Sequence, residues 1–164
     1  MIGKKLVFLA LALVLPAIIF IFLKMFGRNE FAVAPLHQEA VNAVPGCDFK
    51  YPLPYTLPDS IMSAIGMTSG DSLYAVYFDA AYEQQFRRVS VELGEAPVKI
   101  IGPSAIRWKD ADLPMVKACI LLMDNKHSAV LIDHRKRIRG YYDASDRDEV
   151  DRLIVEINVI LKRY

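Results

Sequence analysis

The feature that most constrains this chain is an apolar run near its amino terminus, from Leu6 to Leu23. The run holds eighteen residues, none of them charged, and its one helix breaker is Pro16. As a helix it would extend roughly 27 Å, close to the thickness of a bilayer's hydrocarbon core. Because the run has no polar face, a buried core helix is the poorer interpretation. We therefore predict one N-terminal transmembrane helix, with the membrane as the partner of this segment.

The same segment raises the question of cleavage and orientation. The sequence Ala32-Val33-Ala34 is similar to a signal-peptidase site, but Pro35 would follow the cut and should block it. We therefore expect an uncleaved anchor rather than a signal peptide. Basic residues flank the run on both sides, and their placement slightly favours a domain on the non-cytoplasmic side. This predicts a single-pass inner-membrane protein with a periplasmic domain.

Composition divides the rest of the chain into an arm and a domain. The 164 residues carry 20 basic and 19 acidic side chains, a balance that argues against a nucleic-acid partner. Five prolines fall between residues 27 and 60, which is too many for a long helix and is typical of an extended tether or arm. We predict a membrane anchor at 1–28, a Pro-rich tether or arm at 29–71 and a folded domain at 72–164.

The folded domain alternates strand-like and helix-like patterns. Apolar runs predict strands, and an apolar stripe after Asp146 predicts a closing helix. In chain order, the expected elements are a strand at 73–78, a helix at 80–93, a strand at 98–101, a short helix at 112–119, strands at 129–132 and 138–142, and a helix from 146 to 161. A crossover helix makes the first two strands parallel, and a short turn makes the last two an antiparallel hairpin. This order predicts an α/β, thioredoxin-like mixed four-stranded sheet with helices on both faces.

The last third of the chain resembles the Sco/SenC family. The stretches Asn125–Asp133 and Arg137–Asp143 are similar to the family's histidine, "LID" and "G.IRG.YD" sequences, and Asp146–Leu161 is similar to its closing helix. These proteins are membrane-anchored, thioredoxin-fold copper binders that assist cytochrome c oxidase assembly. The resemblance implies the same fold and a role at a respiratory oxidase, with His127 in the place of the family's histidine ligand.

The chain departs from the family where the family binds copper. The family carries a CxxxC motif just after its first core strand, but the corresponding stretch here, Phe78–Gln84, contains no cysteine. Copper(I) prefers soft thiolate ligands, and thioredoxin-type redox chemistry needs a reactive thiolate at this helix start. Dithiol chemistry of the family type is therefore not expected. The hairpin turn also has Lys136 where the family usually has glycine, which the fold can accommodate at modest strain.

The two cysteines, Cys47 and Cys119, are too far apart in sequence for a CxxC or CxxxC motif. A disulfide between arm and core is the leading interpretation, and its loop would contribute about 4 kcal/mol in the chain-entropy model. One alternative is two separate thiols, with Cys119 buried as a small apolar group. Another is a rebuilt copper site that combines Cys47, Cys119 and His127.

Other candidate residues are weaker. His37 in the arm and His134 in the hairpin turn are expected to be solvated. The hairpin also carries a basic cluster that could contact lipid headgroups or an acidic partner, although a solvated turn is the simpler interpretation. Trp108 falls in a polar loop and is a possible partner contact. The candidate partner-binding residues are thus Trp108, Arg135, Lys136, Arg137 and Arg139.

The leading functional hypothesis is an accessory or assembly factor for a respiratory cytochrome oxidase that acts by protein binding rather than by catalysis. The first alternative is a copper metallochaperone with a rebuilt Cys/His site. The second is a thiol-disulfide oxidoreductase-like enzyme, which is disfavoured because neither cysteine lies at a predicted strand-to-helix turn. No cofactor is required by the leading hypothesis, and copper is the one that the resemblance makes possible.

Overall fold

The computed structural model of the chain describes residues 2–26, 32–42, 44–67, 73–107 and 112–162. The chain forms two compact units, a first that ends at Ala32 and a second that begins at Val33. The first unit contains one helix, α1 (Ile2–Phe26), which includes Pro16. Its described side chains are those of Lys4, residues 12–22 and Lys24. Within the described residues, no helix is both long and apolar enough to cross a membrane.

The second unit is built on a mixed four-stranded sheet. Its strands are β1 (Leu73–Tyr77), β2 (Val98–Ile101), β3 (Ala129–Asp133) and β4 (Ile138–Tyr142). They lie in the order β2-β1-β3-β4, with β1 parallel to β2 and antiparallel to β3, and with β3 antiparallel to β4. The predicted strands and the two predicted pairings are therefore confirmed, to within one residue at the strand ends.

A bulge separates the two ends of β4. Ile132 pairs with Ile138, whereas Leu131 pairs with Gly140, so the extra residue in β4 is Arg139. An extra residue reverses the alternation of faces along a strand. As a result, Ile138 and Tyr141 belong to the core on one face of the sheet, and Tyr142 belongs to the core on the other.

One face of the sheet is covered by two amphipathic helices, and we call it the helix face. They are α3 (Glu83–Leu93), which follows a 3₁₀ turn at Ala80–Tyr82, and α5 (Arg147–Ile160). Asp146 caps α5 by accepting a hydrogen bond from the Asp148 N–H at 2.9 Å. The apolar stripes of both helices pack on the sheet, as their periodicity predicts. The residues of this core include Phe86, Val89, Leu93, Val150, Leu153, Ile154 and Ile157.

The opposite face, which we call the arm face, is covered by the Pro-rich segment and two short helices. These helices are α2 (Asp59–Ala64) and α4 (Leu113–Met115), and α4 continues into a π-helical turn at Val116–Ile120. The predicted helix at 112–119 is thus largely π-helical, and Asp112 makes no side-chain cap. The buried residues that the arm and these helices contribute are Tyr55, Leu57, Ile61, Met62, Ile65, Val116, Leu121 and Met123.

The described residues of the arm from Val33 to Met67 are therefore part of the second folded unit and do not form an extended tether. Backbone hydrogen bonds join the Leu36 N–H to the Ile138 carbonyl at 2.8 Å and the Leu57 N–H to the Lys136 carbonyl at 2.8 Å. Both bonds attach the arm to the β3–β4 hairpin. The structure groups residues 33–67 with the sheet, across the predicted boundary between 71 and 72.

Candidate functional site

The cysteines lie on the arm face and are joined to each other. Cys47 is half-buried in the arm, Cys119 is buried in the π-helical turn, and a disulfide connects them across a sequence separation of 72 residues, with their Cα atoms 5.5 Å apart. The predicted disulfide is confirmed. In this state neither sulfur is a thiolate, so neither can act as a nucleophile or as a soft metal ligand.

Three tyrosine hydroxyls hold the backbone next to the disulfide. Tyr51 donates to the carbonyl of Cys119 at 2.8 Å, Tyr55 to that of Ile120 at 2.6 Å, and Tyr141 to that of Leu121 at 2.7 Å. The last carbonyls of a helix have no partner within the helix. Hydroxyls from the arm and from β4 supply the missing donors here, which fixes the end of the π-helical turn.

These hydroxyls are neutral donors. Burial, with a smaller contribution from Tyr51, raises the pKa of Tyr55 to about 12. Burial also raises the pKa of Tyr141, with smaller contributions from Tyr55 and Asp124. Both phenols therefore keep their protons at any physiological pH.

His37 is part of the same cluster, and the expectation that it is solvated is wrong. Its Nε2 lies 2.9 Å from the Tyr141 hydroxyl oxygen, and its ring packs edge-on against Tyr55. The Tyr141 hydroxyl has one proton, and it is directed at the Leu121 carbonyl. His37 Nε2 must therefore donate its own proton to the Tyr141 oxygen, which assigns the Nε2–H tautomer. Burial lowers the pKa of His37. The residue also has a positive φ of 55°, a strained conformation for a side chain of this size.

His127 also packs against the Tyr141 ring. The two ring centroids are 5.6 Å apart. Its Nδ1 approaches Asp124 Oδ1 at 2.5 Å but in a direction that does not make a hydrogen bond. The described residues contain no group of three or more His, Cys, Asp and Glu side chains placed to hold a metal ion. The predicted copper ligands therefore do not form a site in the disulfide state.

The turn after β1 is the place where the resemblance would put a CxxxC motif. Here Asp79 accepts a hydrogen bond from the Ala81 N–H at 2.9 Å and so begins the 3₁₀ turn that leads into α3. A carboxylate thus caps the 3₁₀ turn, whereas Tyr82, the N-cap of α3, makes no side-chain cap.

The basic hairpin is only partly solvated, which corrects the simpler interpretation of this cluster. Asp133 is buried and accepts hydrogen bonds from the Arg137 side chain at 2.9 Å and from the Arg139 side chain at 3.2 Å. Burial alone would raise the pKa of Asp133, but these hydrogen bonds outweigh it and hold the pKa below its ordinary value. Lys136 pairs with Asp59 of α2.

The remaining sequence candidates are dispersed. Arg135 and His134 are exposed at the hairpin turn, as expected for the histidine. Lys136 has a positive φ of 62°, the strained turn conformation that its place in the hairpin predicts. Trp108 lies outside the described residues. The structure therefore brings Cys47 and Cys119 together with tyrosines that the sequence did not single out and with His37, which was expected to be solvated.

When the sequence is compared with family models and with curated proteins, it matches none of them. The resemblance to the Sco/SenC family therefore stays a prediction from particular residues.

Proposed function

We propose that this chain is a membrane-anchored, thioredoxin-like accessory or assembly factor of a respiratory cytochrome oxidase, and that it acts by binding a protein. The observation that carries the non-catalytic part of the proposal is the disulfide, which engages both cysteines. The oxidase role rests on the resemblance of residues 125–143 and of the closing helix to the Sco/SenC family. The anchor rests on the uncharged run from Leu6 to Leu23, which lies within α1.

The order of the elements supports the thioredoxin-like part of this proposal. A parallel βαβ unit precedes a helical connection, and an antiparallel hairpin and a closing helix follow it. This is the order that the resemblance predicts. It puts the turn after β1 at the position of the family's dithiol, where this chain has Asp79.

Copper(I) binding tests the main alternative. The full chain, in an uncharged detergent, is titrated against a coloured copper(I) chelator in its oxidised and reduced forms, beside Cys119→Ala and His127→Ala. We expect no stoichiometric copper(I) binding by either form. Stoichiometric binding that disappears in both variants would replace this proposal with a rebuilt copper site.

Complementation tests the oxidase role. In a strain that lacks this chain, we expect a lower content of assembled oxidase, measured from the haem absorbance of the membranes. His127→Ala should restore assembly as fully as His134→Ala, which changes an exposed histidine of the hairpin. Normal oxidase in the deletion strain would contradict the oxidase role. Failure of His127→Ala alone, rescued by added copper, would favour the metallochaperone alternative.

Thiol chemistry is tested by the pair Cys47→Ser/Cys119→Ser in the same strain. At a temperature where this variant is folded, we expect it to restore oxidase assembly, because the proposal gives the thiols no chemical role. A folded variant that fails would support the oxidoreductase alternative. A thiol-reductase assay on the purified chain would then identify the reaction.

A further inference from the structure

The structure contains a basic pocket at the turn end of the β3–β4 hairpin. It has a volume of about 500 Å³ and is formed by the hairpin together with the end of α5. Its charged lining residues are Asp133, Arg135, Arg137, Arg139 and Lys162. Four cations thus face one carboxylate, which leaves the described lining with a positive excess.

The carboxylate holds two of the cations in place. Asp133 accepts from the side chains of both Arg137 and Arg139, and its Oδ1 also accepts the backbone N–H groups of Arg135 and Arg137 at 2.9 and 3.0 Å. Arg139 is further fixed by a hydrogen bond to the Val33 carbonyl. Guanidinium groups that are held in this way lose little freedom when they bind an anion.

The pocket also has unused donors. The Nε–H of Arg139 is buried and has no hydrogen-bond partner among the described residues. Arg135 and Lys162 are exposed, and their side chains make no ion pair within the described part of the chain. Several converging cationic donors suit an anion with three acceptor oxygens and a charge greater than one, which describes a phosphate group.

Beside the exposed His134, the remaining wall of the pocket is apolar. Leu73 of β1 and Ile160 and Leu161 at the end of α5 line the pocket beside the cations. Ile160 and Leu161 are partly buried and pack on the helix-face core. A free phosphate would leave this wall in contact with water, whereas an alkyl chain would cover it.

We propose that this pocket binds a phosphate group that carries an apolar chain. Such chemistry occurs in membrane phospholipids and in soluble alkyl or acyl phosphates. The inference does not rest on the oxidase role, since it uses only the hairpin, the end of α5, Leu73 of β1 and the Val33 carbonyl.

The test uses the full chain in an uncharged detergent and follows the ¹H–¹⁵N signals of the arginine Nε–H groups by NMR. The probes are hexyl phosphate, dihexanoyl phosphatidic acid, inorganic phosphate and a blocked triglutamate peptide. We expect a saturable, one-to-one shift of the Arg139 signal with at least one of the two amphiphiles. The tighter of the two then identifies the source as a soluble phosphate monoester or a lipid headgroup.

A charge-matched pair of variants makes the test specific. Arg135→Gln/Lys162→Gln removes two pocket cations that hold no other side chain, and we expect about tenfold weaker binding of the amphiphile. Arg87→Gln/Lys126→Gln removes the same charge from exposed positions outside the pocket and should bind like the parent chain. Thermal unfolding of both variants verifies that they are folded.

Several results would overturn the proposal. They are the absence of a saturable shift with either amphiphile, equal weakening in the two paired variants, and inorganic phosphate that binds as tightly as hexyl phosphate. Tighter binding of triglutamate would replace it with an acidic protein segment as the ligand.

Discussion

The two faces of the sheet are covered in different ways. On the helix face, α3 and α5 bury continuous apolar stripes, and within the described residues no disulfide is part of that packing. On the arm face, the covering includes irregular chain that is tied down by a disulfide, three tyrosine hydroxyls and His37. Helical packing is stabilised mainly by buried apolar area, whereas irregular chain needs specific partners for its backbone groups. The arm face should therefore depend on a few directional contacts.

The largest expected effect belongs to the helix face. Phe86 of α3 is 1% exposed and stacks on Tyr77 with ring centroids 4.3 Å apart. Phe86→Ala should lower the free energy of unfolding by about 3 to 5 kcal/mol, through lost burial and the cavity that is left. Urea denaturation followed by circular dichroism measures this. Val91→Ala on the exposed side of the same helix is the control and should change little, and a similar loss in both variants would contradict the description of this face.

The next effect belongs to the disulfide. Cys47→Ser/Cys119→Ser should lower the free energy of unfolding by about 2 to 4 kcal/mol, because the crosslink restricts the unfolded chain. A reducing agent should have a similar effect on the parent chain and none on the double variant. The same denaturation experiment measures both. An unfolding midpoint that does not respond to reduction would show that the crosslink is not what stabilises the arm.

A smaller effect belongs to the Tyr141 hydroxyl. Tyr141→Phe leaves the Leu121 carbonyl and His37 Nε2 without their partner, and it should cost about 1 to 3 kcal/mol. Its neighbour Tyr142 is the matched control on the helix face. The Tyr142 hydroxyl donates to Glu156 Oε2, whereas Arg152 donates to Glu156 Oε1, so the Glu156 carboxylate keeps a charged partner in Tyr142→Phe. A larger loss for Tyr142→Phe would reverse the proposed difference between the faces.

The smallest effect is a dependence on pH. Burial lowers the pKa of folded His37 below the ordinary value of 6.5. The unfolded chain therefore binds a proton at His37 more readily than the folded chain does. The contribution of the buried, neutral His37 to the free energy of unfolding is therefore complete above pH 6.5 and is lost as the pH falls through the folded pKa. The difference in melting temperature between the parent chain and His37→Gln, compared at pH 7.5 and pH 5, should decrease on acidification. An increase would mean that the buried imidazole is stabilised in its charged form.

The difference between the helix face and the arm face also explains which features of the fold could be predicted from the sequence. The strands and the helices α3 and α5 follow from apolar runs and from a stripe with helical period, which are local patterns. The Cys47–Cys119 disulfide also followed, since these are the chain's two cysteines. Modest strain at Lys136 was expected from the resemblance, because the family usually has glycine in this turn, and the residue has a positive φ of 62°. Each of these predictions uses information that lies in one segment or in a residue count.

The arm face was harder to predict because its contacts join distant segments. His37 contacts Tyr141 across 104 positions, and Tyr55 reaches the Ile120 carbonyl across 65. Proline density excludes a long helix but does not specify where irregular chain lies. The available signal was the aromatic content of the arm, since Phe49, Tyr51 and Tyr55 are more apolar than a solvated tether requires. That signal indicates burial without identifying the partner.

The most direct test of the account is native-state hydrogen exchange on the full chain, with the disulfide intact and reduced. We expect reduction to increase exchange in the arm, residues 36–57, and in the π-helical turn and the residues that follow it, 116–123. Amides of α3 and α5 should keep their protection. An equal increase in all elements, or no change in the arm, would contradict the claim that the cysteines serve to hold the arm on the sheet.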